Sequence, residues 1–191
     1  YVDENIAQKL LEMGVKDSKR IQSDQKALDL AKEIKKATAW SVVSIGPERY
    51  NELYHKFRNL NSLLAWGHGK IIENLHAKKT DCPRALSDQF AHPSLIQREL
   101  KKKNVQLLLE QRTKAESDIA VAAASILARA EFIMRLRNLG KPLKLELRKG
   151  ASQLVKDQAL EIAKNHGINT LKTLSKAHFK TFAEIQSEFL R

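Results

Sequence analysis

Residues 112–132 read RTKAESDIAVAAASILARAEF. Two carboxylates, Glu116 and Asp118, stand beside Lys114 at its start, and from Ile119 to Ala128 the only polar side chain is Ser125. A helix that is apolar or small all round is normally buried, and its alanines let other elements approach the backbone closely. Polarity returns with Arg129, Glu131, Arg135 and Arg137. The pattern predicts a helix from Ser117 to Leu139, stopped by Gly140 and about 33 Å long at 1.5 Å per residue. Acids placed where a buried helix meets a strand are either a helix cap or part of a site.

Working outward, Val105 to Leu109 is the clearest strand, continuing in polar residues through Glu110-Gln111-Arg112 into the long helix. Before it, Pro93 opens a helix to about Lys103, and Ala85 to Phe90 reads as a short buried strand. A helix from Leu63 to about Lys78 contains Gly67 and Gly69, which signals close packing or a local irregularity. Ala39 to Ile45 is β-branched and reads as a further strand, followed by a helix opened by Gly46-Pro47. Helices over Asn5–Met13 and Asp24–Lys36, the second capped by Ser23, lead the chain. Downstream, a basic loop spans Lys141 to Gly150. A helix over Ser152–His166 and short pieces around Leu171–Ser175 and Phe182–Leu190 complete the chain. Helices alternating with strands predict an α/β fold, with parallel strands joined by helical crossovers in one domain.

Charge narrows the partners. Lys plus Arg total 34 against 22 Asp plus Glu, a net charge of +12. That surplus favours an anionic partner, nucleic acid before an anionic membrane surface, over a merely well-solvated surface. No apolar run approaches the roughly 20 residues needed to span a bilayer, so no membrane association is expected. The one cysteine, Cys82, permits no internal disulfide, which fits a cytoplasmic protein, and makes a zinc centre at His68, His76 or His92 improbable. No Gly-rich nucleotide loop is present.

Sites in open α/β sheets form at the carboxyl ends of the strands. Asp88 ends one strand, and Glu116 follows the other just before the long helix. If those strands are neighbours, both carboxylates project from one edge, where they repel unless protonated or bridged by a cation. A hard ion such as Mg²⁺ takes oxygen ligands, and two such ions can activate water and steady the leaving oxygen of a phosphodiester. Each acid also has a plain structural reading: Asp88 as a strand-end turn residue, Glu116 as a helix-terminal acid favoured by the macrodipole. Asp118 reads first as the cap of the long helix and second as a ligand. Lys16-Asp17-Ser18-Lys19 suits a phosphate or an ordinary polar turn.

Four segments together resemble ribonuclease HIII, a bacterial type 2 ribonuclease H. They are GVKDSKRI at 14–21, LSDQF at 86–90, TKAESDIAVAAASILARAEF at 113–132 and KGAS at 149–152. The resemblance implies a ribonuclease H-like fold, a mixed sheet flanked by helices. It implies an endoribonuclease that hydrolyses the RNA strand of RNA–DNA hybrids with Mg²⁺ or Mn²⁺, leaving 5′-phosphate products, and acting as a monomer. Of the family's four acids, Asp88 matches the third and Glu116 the fourth, with Asp118 in reserve. Ser18, Lys19 and Lys149 match positions beside the substrate backbone. The first acid pair sits in a glycine-rich Asp-Glu turn that this sequence does not contain. Asp3 and Glu4 lack the glycines and read as helix acids. The expectation is therefore a C-terminal part of a catalytic domain, with two acids, the opening strands and a TATA-binding-protein-like substrate domain outside this numbering. The alternative is a non-catalytic basic nucleic-acid-binding fragment.

Overall fold

The computed structural model describes residues 1–16, 19 and 21–190. By its internal contacts the chain forms two compact units, residues 1–44 with 59–133 and residues 45–58 with 134–191.

In the first unit, α1 (Glu4–Glu12) is capped by Asp3, whose carboxylate accepts from the Ile6 N–H at 2.9 Å. Gly14 (φ +75°) ends it, and α2 (Asp24–Ala37) starts at Ser23, whose hydroxyl accepts from Lys26 N–H at 3.1 Å. The apolar spacing of α2 buries Ala27, Leu28, Leu30, Ala31 and Ile34. They pack with Leu10 of α1 and with Ala122, Ala123, Ile126, Leu127, Ala130 and Ile133 of α6 (Ile119–Gly140). The long helix is thus found where its sequence places it. Its burial differs from expectation at Ala124 and Ala128, which are exposed because α1 and α2 cover only one stripe; the later turns, with Phe132, reach the surface as their polarity suggests. Arg129 ties that stripe to the start of α2, donating to Ile21 O at 2.9 Å and to Asp24 at 3.1 Å.

The sheet consists of two parallel strands, β1 (Arg84–Asp88) and β2 (Leu108–Arg112), paired from Arg84↔Leu108 to Asp88↔Arg112. Against it pack α4 (Leu60–His76) and α5 (Ser94–Lys102), around Ala65, Ile96 and Leu100. A methyl group at Gly69 of α4 would sit 2.8 Å from Glu99 Cβ of α5, so the glycine there is a close-packing requirement. Two strand expectations are corrected. The second strand lies three residues later than its apolar run, because Val105 still bonds back to Leu100 O and Leu107 packs under α5. Residues 39–45 form no strand: β-branched composition suits a half-buried pleated surface, and no described strand pairs with them. Trp40 and Val42 instead pack on the α1–α2–α6 core.

In the second unit, α7 (Gln153–His166), α8 (Ile168–Leu174) and α9 (Lys180–Phe189) gather Ile162, Ala163, Leu171, Phe182 and Ile185, and α3 (Pro47–Phe57) lies against α8. Asn51 of α3 clamps this unit, its amide donating to Lys172 O and Ser175 O and accepting from Ala177 N–H. Before α7, a 3₁₀ turn (Lys141–Leu143) leads into a stretch where Leu143, Leu145 and Leu147 pack inward while Lys144, Glu146 and Arg148 are exposed. Gln158 holds it through Arg148 N–H and Glu146 O.

Candidate metal and nucleic-acid site

The parallel pairing puts the carboxyl ends of β1 and β2 side by side, and Gln89 N–H continues the ladder to Arg112 O at 3.0 Å. Beyond Arg112 the chain turns at Lys114 (φ +56°) into a 3₁₀ turn, Ala115–Ser117, then into α6. Ala115 is fully buried, which fixes the turn against the core.

Asp88 is exposed at the end of β1, and its Oδ1 accepts from Ala115 N–H at 3.1 Å. The structure therefore brings Asp88 next to the turn that carries Glu116. Of the two readings of Asp88, the turn is the one observed: it closes a turn through Ala115 at the carboxyl end of β1. Its strand neighbour Ser87 is buried, with the hydroxyl 3.0 Å from His68 Nδ1 of α4 and donating to Asp88 O. The His68 ring lies 4.9 Å from that of Phe90. Burial pushes the His68 pKa down, and the nearby Asp88 charge pulls it part of the way back. This backing of β1 by a histidine was invisible in the sequence, because α4 and β1 show no spacing that pairs them.

Glu116 forms an ion pair with Lys19 at 3.0 Å, across 97 residues of sequence. Its own backbone N–H, then the Lys19 ammonium, hold its carboxyl below the usual range, with Lys114 adding to the effect. Val15 and Ile21, on either side of Lys19 in sequence, are buried. Ser18 lies outside the described residues. Asp118 is a cap, as its position suggested: its carboxylate accepts from Ala120 N–H at 2.9 Å and lies 3.8 Å from Arg112. Lys149 is exposed in the second unit, just before Gly150.

Asp88 and Glu116 offer oxygen donors only, which suits a hard divalent ion that completes its shell with water and phosphate and does not suit zinc. Among the described residues no group of three or more His, Cys, Asp or Glu is placed to hold a metal. The two carboxylates are a partial donor set that fits such an ion.

A sequence model of the ribonuclease HII family matches residues 1–182. The chain belongs to that family. Within it, the chain is 42% identical over 185 residues to ribonuclease HIII of Protochlamydia amoebophila, covering 97% of this chain and 61% of that protein. Ribonuclease HIII of Chlamydia felis is 45% identical over 184 residues, with 96% and 61% covered. The chain thus spans about three-fifths of the length of these relatives. Among solved structures, Bst-RNase HIII in complex with Mn²⁺ superposes with a TM-score of 0.89 at 26% identity, over 99% of this chain and 63% of that one. An RNase HII solved with PCNA from Archaeoglobus fulgidus gives 0.71 at 26%, over 93% and 87%. These matches bear out the ribonuclease H-like α/β fold, with the described sheet small and parallel where a mixed one was expected.

Proposed function

We propose that this protein is a metal-dependent ribonuclease H that hydrolyses the RNA strand of RNA–DNA hybrids, leaving 5′-phosphate and 3′-hydroxyl ends. The observation that carries this reading is the Asp88–Ala115 hydrogen bond, which sets two carboxylates at one sheet edge of a ribonuclease HII-family chain. The similar Bst-RNase HIII was solved with Mn²⁺, and Asp88 and Glu116 are the residues proposed to hold Mg²⁺ or Mn²⁺ here. A divalent ion at that edge supplies activation of the attacking water and charge for the leaving oxygen.

The chain's own groups do the rest. Asp88 is held in place by the Ala115 N–H at 3.1 Å. Glu116 is kept ionised by its own amide and then by Lys19. Ser18, Lys19 and Lys149 are proposed to meet the phosphate backbone, as point charges that steady the duplex without reading its sequence. The +12 charge supports a polyanionic partner. A monomer working in the cytoplasm, as the lone cysteine suggests, completes the proposal, as does reading the whole chain as part of one catalytic domain.

To test it, Asp88→Asn and Glu116→Gln are made in the protein as encoded and assayed on an end-labelled hybrid with Mg²⁺ or Mn²⁺. The expected loss is about a hundredfold or more, at least that of disturbing a metal's supporting shell. Full activity in either variant removes that residue from the site. A second reading, a non-catalytic nucleic-acid-binding protein, is favoured by the incomplete donor set among the described residues. Metal-dependent turnover excludes it.

A further inference from the structure

The turn that presents Glu116 contains a residue in a backbone conformation that its side chain disfavours. Lys114 has φ +56° and ψ +35°, the left-handed region that glycine enters freely and a residue with a Cβ does not. Arg58, Asn104 and Lys144 also have positive φ. Those three follow the last turn of α3, of α5 and of the 3₁₀ turn Lys141–Leu143, where a left-handed residue is the ordinary terminator. Lys114 ends no helix. It joins β2 to the start of a 3₁₀ turn, and its conformation points the Ala115 N–H at Asp88.

Glycine would make that turn without strain, so the lysine side chain is the feature to explain. It is exposed, and among the described residues its ammonium makes no hydrogen bond or ion pair, unlike Lys19, which pairs with Glu116. Its charge is nevertheless felt at Glu116. An exposed ammonium two residues before Glu116, on a strained turn that is anchored by buried Ala115 and bonded to Asp88, is placed to meet an anion that approaches the same edge.

We propose that Lys114 is a substrate-binding residue whose ammonium contacts a backbone phosphate of the nucleic acid bound at the Asp88–Glu116 edge. This rests on the reading of that edge as the nuclease site. As a point charge it fixes the register of the duplex without discriminating bases.

Strain and contact predict opposite signs for one substitution. In the protein as encoded, Lys114→Gly and Lys114→Arg are compared with the wild type by urea denaturation. Binding of a fluorescein-labelled RNA–DNA hybrid is followed by anisotropy in EDTA over a range of KCl. Lys114→Gly should raise the urea midpoint, weaken binding severalfold, and reduce the slope of log K against log[salt] by about 0.7 to 0.9, the change for one lost phosphate contact. Lys114→Arg should keep the wild-type slope. An unchanged slope in Lys114→Gly, or an equal loss in Lys114→Arg, overturns the proposal. Cleavage by Asp88→Asn is measured in parallel. Activity retained there sinks the nuclease-site reading, whereas a flat Lys114 slope with Asp88→Asn inactive sinks only the Lys114 contact.

Discussion

Asp88, Glu116 and Asp118 lie close together at the strand–helix junction, yet each has different partners. Asp118 accepts from Ala120 N–H and caps α6. Asp88 closes the turn through Ala115, and Glu116 pairs with Lys19. The cap was legible from sequence because a first-turn acid is a local, macrodipole-driven feature. The Lys19–Glu116 pair was not, since 97 residues separate its members and no periodicity relates a loop to a distant turn. Its titration can be checked. The folded-state pKa of Glu116 lies below its unfolded value of about 4.3, so the pair's contribution is present above that pH and is lost as pH falls through the folded pKa. Lys19→Met should move the Glu116 carboxyl back up toward the ordinary range in an NMR titration. An unmoved titration would mean that Lys19 does not hold Glu116 in solution. His178 tests the opposite end of the chain. Burial, and then Lys176, lower its pKa, so the second unit should lose stability as pH falls below about 6.5. His178→Gln should flatten that dependence in denaturation curves taken from pH 7.5 to 5.5.

Within the elements, glycines in one helix have different jobs. A methyl group at Gly69 would lie 2.8 Å from Glu99 Cβ, while one at Gly67 meets nothing within 4 Å. Gly69→Ala must push α4 from α5 and should cost about 1–3 kcal/mol as overpacking. Gly67→Ala should gain up to about 1 kcal/mol from helix propensity. Urea midpoints moving the same way in both variants would refute this packing of α4 on α5. Asn51→Ala removes three hydrogen bonds to α8 and the residues that follow it and should destabilise by about 1–3 kcal/mol. Helices were read from sequence nearly to their ends, because the 3.6-residue spacing and the caps at Asp3, Ser23 and Gly167 are local. Strands were less legible. Val105, Leu107 and Leu109 are apolar because they pack on the core beside α5, whereas the ladder runs through exposed Leu108 and the polar Glu110–Arg112, with Arg112 opposite Asp88.

For the molecule as a whole, family membership follows from a match over residues 1–182, and the +12 charge suits a polyanion. Affinity for a hybrid should fall steeply with salt through counterion release, and a salt-insensitive complex would contradict both functional readings. The site edge was partly readable: Asp88 and Glu116 stood at strand ends in sequence, while their junction through Ala115 required the parallel register of β1 and β2. Holding a divalent ion at that edge is the central claim, and a calorimetric Mn²⁺ titration of wild type and Asp88→Asn tests it most directly. The account predicts saturable binding by the wild type that weakens about tenfold or more in Asp88→Asn. Equal Mn²⁺ affinity in the two proteins would contradict it.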